Sequence, residues 1–123
     1  MKNLEQLRAA HALPRANKLD RRATRKLPAL IINNGLLAAA AFTLDSDSRG
    51  EMRAVIVAIE EHLRDRGYIM ASPSGPSDND RVRSFISELT NKKSIELQRA
   101  TSEALAYLGY LKRFAPKGAD AED

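Results

Sequence analysis

At 123 residues the chain has room for one domain of ordinary size and not for two independent cores. Its 43% hydrophobic and 29% charged composition is that of a chain that folds, and the absence of cysteine excludes disulfides, thiolate zinc sites and a cysteine nucleophile. Twenty Lys and Arg against sixteen Asp and Glu give +4; setting aside Asp120, Glu122 and Asp123 leaves thirteen acids and a balance of +7, a charge that favours encounter with phosphate or another polyanion.

The first ten residues mix Lys, Asn, Glu, Gln and Arg with single leucines, without the apolar stretch of a secretory signal. The longest apolar run, from Leu27 to Leu44, is interrupted by Asn33, Asn34 and Gly35 and falls short of the roughly twenty residues that span a bilayer. A cytoplasmic protein with no membrane contact is expected.

From Asn3 to Lys26 strong helix formers carry Ala9, Ala12, Ala16, Leu19, Ala23 and Leu27 at spacings of three and four, one buried helical face. Pro14 removes a hydrogen bond there, so a kink or two abutting helices is expected. Leu27 to Leu44 opens with Pro28, suits a first helical turn, and is apolar all round from Ile31 to Phe42, which predicts a central buried helix. Asn34 and Gly35 between apolar runs would also fit a β-hairpin, but four consecutive alanines favour helix.

Asp45 to Gly50 is a loop, and Glu51 to Arg66 places Val55, Ile56, Ile59 and Leu63 on one stripe before Gly67 closes a third helix. Ser72 to Asp80 combines prolines, glycine, serines and acids, so an exposed, mobile loop is expected. A short helix from Arg81 to Thr90 and a long one from Lys92 to Ala115 follow, ending at Pro116. The fold class expected is all-α: a compact single-domain bundle of about five or six helices over 1–116, with an acidic flexible tail at 117–123.

Catalytic chemistry has little support. His11 and His62 stand far apart in sequence with no metal-ligand spacing, and neighbouring Glu60 and Glu61 diverge by about 100° on a helix, which reads as solvated surface. DSDSRG at Asp45 to Gly50 resembles the front of a calcium loop, but Arg49 and Ile56 stand where ligands are required, and a helix cap at Asp47 or Ser48 is the better account. No metal or other cofactor is expected.

The basic residues carry more. Arg8, His11, Arg15, Lys18, Arg22 and Arg25 recur at steps of three and four, which on one continuous helix would line a stripe about 100° wide beside the apolar face. Only Glu5 and Asp20 are acidic between Met1 and Lys26. A solvated face fits the spacing equally well. On the last helix Arg99, Ser102, Ala106, Gly109 and Arg113 share a side opposite Leu97, Ala100, Ala104, Leu108 and Leu111. Small residues there permit close approach of a partner, and the arginines suit phosphate or carboxylate; the plainer account is an exposed face with an Arg99–Glu103 pair.

Two stretches, KLPALIINNGLLAAAAF from Lys26 to Phe42 and RATSEALAYLGYLKRFA from Arg99 to Ala115, resemble the hallmark segments of the small subunit of type III-B CRISPR (Cmr) effector complexes. They cover about a quarter of the chain, and their order and separation agree as well. Gln98, Tyr110 and Pro14 depart from the family pattern. The resemblance implies a non-catalytic protein that stacks in several copies along guide and single-stranded target RNA, beside the backbone subunit that does the cutting. It also implies RNA-binding roles for Lys26, Arg99, Lys112 and Arg113, to which the stripe adds Arg15, Lys18, Arg22 and Arg25. Ser102, Ala106 and Gly109 are the candidate subunit interface. The alternative is a structural adaptor for acidic proteins, without RNA contact; a small nuclease is disfavoured for want of a catalytic constellation.

Overall fold

The computed structural model describes residues 1–70 and 75–116. Six α-helices follow one another: α1 Leu4–Ala16, α2 Arg21–Asn34, α3 Leu36–Phe42, α4 Gly50–Asp65, α5 Asp78–Thr90 and α6 Ser94–Phe114. A single 3-10 turn, Asp47–Arg49, precedes α4, and no strand occurs among the described residues. The chain is therefore all-α, and the hairpin reading of Asn34 and Gly35 is excluded.

The first helical segment divides, though not at Pro14. That proline stands in the last turn of α1, and the chain breaks over 17–20, where Asp20 turns extended and accepts a hydrogen bond from the Ala23 amide to start α2. An N-cap of this kind contributes about 1 kcal/mol. Pro28, expected at a helix start, lies inside α2 instead. The expected central helix is in fact two, because Gly35 adopts φ +94° and ψ 159° between α2 and α3, a backbone region essentially restricted to glycine. Its amide still closes α2 on the Ile31 carbonyl, and its carbonyl opens α3 by accepting from Ala39.

This break gives α2 and α3 separate outer faces, so the segment is not apolar-buried on every side: Ile32 is 69% exposed. The most enclosed helix is α4, where Val55 to Glu60 are all buried. It packs against α5, α6, α2 and α1. Its end is a glycine turn, with Gly67 at φ +83° and the Tyr68 amide bonded to the Leu63 carbonyl. One hydrophobic cluster runs through the helices, from Ala12 through Leu27, Ile31, Leu36, Ile56, Ile59, Leu63 and Phe85 to Tyr107 and Leu111. Each fully buried Leu or Ile contributes about 1.5–3 kcal/mol.

Helix α5 starts three residues earlier than expected, because Ser77 and Asp80 form a reciprocal capping box. The rest of the predicted loop, 72–74, and the acidic tail at 117–123 lie outside the described residues.

Candidate nucleic-acid interface

The six basic stripe residues do not share one helix. Arg8, His11 and Arg15 on α1 turn toward α6 and α4, whereas Lys18 lies in the following turn and Arg22 and Arg25 on α2. Arg8 forks onto Glu103 of α6, Nε to Oε2 at 2.9 Å and Nη2 to Oε1 at 2.7 Å. Arg15 donates to Glu61 at 3.1 Å and to the His11 carbonyl at 2.9 Å. The α1 half of the stripe is thus engaged in holding helices together.

That engagement belongs to a buried polar cluster with no local sequence signal. Glu103, only 3% exposed, also accepts from His62 Nε2 at 2.7 Å. His62 stacks on Tyr107 with centroids 4.1 Å apart, and the Tyr107 hydroxyl meets His11 Nδ1 at 2.6 Å. Neutral imidazoles fit these bonds: His62 carries its proton on Nε2 toward Glu103, and His11 accepts at Nδ1 and directs Nε2–H toward Asp65, 3.4 Å away. Burial lowers His11 to a pKa of about 4, reinforced by Arg15 and His62. Burial likewise lowers His62 despite its bond to Glu103. The Glu103 carboxyl is pushed up by burial, but hydrogen bonds from Arg8 and His62 outweigh this and hold it below its ordinary value. Tyr107 is raised by burial and stays a protonated donor.

Two readings of surface carboxylates are corrected here. Glu60 is 1% exposed rather than solvated; it pairs with Arg64 one turn on and with Arg81 of α5 at 3.3 Å. Glu61 is shared by Arg15 and Arg81. Glu103 is taken by Arg8 and His62 rather than standing as an exposed partner of Arg99. In each case at least one partner comes from another helix, because a carboxylate loses hydration on burial and needs compensating donors.

The α2 half of the stripe faces outward. Lys18, Arg22, Arg25 and Lys26 are all exposed, and α2 has no acid in its first turn, so the positive end of its dipole adds to theirs. Arg22 and Lys26 line an open groove of about 530 Å³ whose floor includes Leu30, Phe42 and Met52. Arg49 joins them, its guanidinium 3.7 Å above the Phe42 ring and bonded to the Phe42 carbonyl at 2.9 Å. Asp20 and Glu51 temper the charge at the edges. Arg49 could not have been chosen from sequence, since its place depends on the turn that returns it to Phe42.

The calcium-like loop is organised by a protein cation. Arg53 of α4, buried, donates to the carbonyls of Thr43, Ser46 and Asp47. Ser46, rather than Asp47 or Ser48, caps the turn. Among the described residues no group of three or more His, Asp or Glu could hold a metal ion.

On α6, Ala100, Glu103, Ala104, Tyr107, Leu108 and Leu111 point inward, leaving Arg99, Ser102, Lys112 and Arg113 exposed and Ala106 and Gly109 half-buried. Fourteen residues separate Arg99 from Arg113, or about 21 Å of helix. They are two positions on one flank rather than one clamp.

The structure thus defines an all-helical protein that buries Glu60 and Glu103 in interhelical pairs and turns basic helix faces outward. Residues 4–117 match the family model of the CRISPR-associated proteins designated Cas_Cmr5, and the chain belongs to that family, the small structural subunits of the type III-B Cmr complex. It is accordingly a Cmr-complex subunit that associates with other Cmr subunits. No curated protein and no solved structure matches it. None of the described helices is long and apolar enough to cross a membrane.

Proposed function

We propose that this subunit is non-catalytic and holds the backbone of guide and target RNA, in the cytoplasm, while stacking in several copies as a single folded domain over 1–116. The observation that supports this best is the outward basic face of Lys18, Arg22, Arg25 and Lys26, of which Arg22 and Lys26 share a groove with Arg49. Phosphate contact suits it, because long cationic side chains without a base-stacking platform hold backbone and do not read sequence. Arg15, paired with Glu61, joins this surface at its edge. Arg99, Lys112 and Arg113 form a second line of contact along α6. Ser102, Ala106 and Gly109 between them offer a small-residue surface for a neighbouring copy or the backbone subunit.

A salt titration of assembled complexes tests the reading. Four phosphate contacts to single-stranded RNA correspond to a slope of log affinity against log salt near −3, at about −0.7 per contact. Arg22→Ala and Arg25→Ala should each lessen the slope by somewhat under one unit, without altering sequence preference and with unchanged melting temperature. If replacing Lys18, Arg22, Arg25 and Lys26 together leaves assembly, affinity and slope at parent values, the α2 face does not bind RNA.

A further inference from the structure

Helix α1 turns its charges inward and an uncharged side outward. Arg8, His11 and Arg15 reach α6 and α4, with Ala12 and Ala16 fully buried beside them. The opposite side carries Gln6, Ala10, Leu13, Pro14 and Asn17, all exposed and none charged. Positions 6, 10, 13 and 17 fall within about 60° of one another around the helix, a single strip about 16 Å long. Leu13 stands within it at 58% exposure. In a chain that is 29% charged, an outer helix face would ordinarily carry charge.

A second uncharged surface lies on another flank. The break at Gly35 sets α3 off from α2, and Leu37 and Ala41 of α3, Ile86 of α5 and Leu97 of α6 wall an open groove of about 560 Å³. Among the described residues that line it none is charged. The Thr90 and Thr101 hydroxyls at its walls donate to the Ile86 and Leu97 carbonyls, at 2.8 Å each, so they ask nothing of an occupant. Asn34 and Gln98 supply amides, the same groups that Gln6 and Asn17 carry on the strip. Since α1 packs on α4 and α6 whereas α3 packs on α2 and α5, the strip does not fill the groove of its own chain.

We propose that the outer strip of α1 in one copy seats in the α3–α5–α6 groove of the next, Leu13 entering beside Ala38 and Ala41, so that copies join head to tail. This names the faces used in the stacking proposed above and rests on that reading. The charge match selects the occupant. A phosphate or a charged helix would lose hydration in a groove that offers it no counter-charge, whereas the strip brings no charge to desolvate. Two different surfaces make a heterologous contact, which repeats in one direction and leaves a free groove at one end of the row. One helix face buries less than the roughly 800 Å² per partner of a stable pair, so the contact is weak between free copies and forms where other subunits hold copies side by side.

The chain has no cysteine, so disulfide trapping reads the contact directly. ¹⁵N-labelled Leu13→Cys and unlabelled Ala38→Cys, both at exposed positions, are mixed equally, assembled into the Cmr complex and oxidised, and the linked peptides are identified by mass spectrometry. Ala41→Cys, one turn on and also exposed, covers a shift in register, and Glu51→Cys is the exposed control. Leu13→Cys should link to Ala38→Cys or Ala41→Cys about tenfold more than to the control, and a chain carrying both substitutions should give a ladder of linked copies. A lysine-directed cross-linker on the same complex reports independently whether copies adjoin. If it joins copies while neither α3 position links above the control, the inference is overturned and stacking uses other faces. If it joins none, the stacking reading falls with it. Leu13→Asp should melt as the parent does yet weaken association between copies by about tenfold, because its carboxylate would lose water in an uncharged groove. Parent-like association in that variant would also overturn the inference.

Discussion

Replacing Glu103 by alanine should be among the most damaging single changes in the chain, although the residue resembles an ordinary helix-surface acid. Its carboxylate accepts two bonds from Arg8, at 2.9 and 2.7 Å, and one from His62 at 2.7 Å, at 3% exposure. Arg8 is 22% exposed and can turn partly to water once released, but His62 at 1% cannot. Its buried N–H left unpaired costs about 1–3 kcal/mol. The vacated side-chain volume adds about 1–2 kcal/mol. The total of about 2–5 kcal/mol overlaps the cost, about 3–5 kcal/mol, of removing one partner of a buried ion pair. At about 4 °C per kcal/mol, for a chain of this size, the melting temperature should fall by about 8–20 °C in calorimetry. A second variant, Arg8→Met with His62→Leu and Glu103→Met, should recover most of that loss, since apolar replacement of a complete buried pair is often near neutral. A drop below about 3 °C for Glu103→Ala would refute the reasoning and imply that α6 is rotated relative to the packing described here.

The same cluster sets a pH dependence. His11 titrates near 4 in the folded chain against 6.5 when unfolded, so the unfolded state binds more protons between these values and stability should decline as pH falls from about 6.5 to 4. His62 and Glu103, both lowered, act in the same direction, Glu103 below its ordinary 4.5. Urea titrations across that range should show the decline, and His11→Gln should flatten it; an unchanged profile in that variant would remove His11 from the linkage. At Gly109 an added Cβ meets only the Arg113 guanidinium, at 4.0 Å. Gly109→Ala should therefore stabilise the isolated chain by about 0.5–1 kcal/mol through helix propensity. Gly109→Leu should fold normally yet weaken incorporation into the Cmr complex, and a Leu variant that unfolds would show this position to be core.

Much of the fold was legible in the order of residue types. Spacings of three and four gave α1, α4 and α6 their inward faces, Gly67 marked the end of α4, and paired hallmark segments gave the family, because these signals lie within a few turns of one helix. The tertiary structure decided where the polar residues went. Arg8 and Glu103 are ninety-five positions apart, and His62 and Glu103 forty-one, so no local periodicity could reveal that they neutralise one another. It also decided that the central segment divides at Gly35, where a backbone open only to glycine overrode strong helix propensity on both sides. The basic stripe shows the same limit. Sequence spacing assigned six residues to one face, but the buried Glu103 and the half-buried Glu61 engage Arg8 and Arg15 on α1, whereas Lys18, Arg22 and Arg25 lie exposed beyond the turn. A charged side chain's role is set by whether a buried counter-charge lies within its reach, and that is a property of helix packing rather than of the helix that carries it.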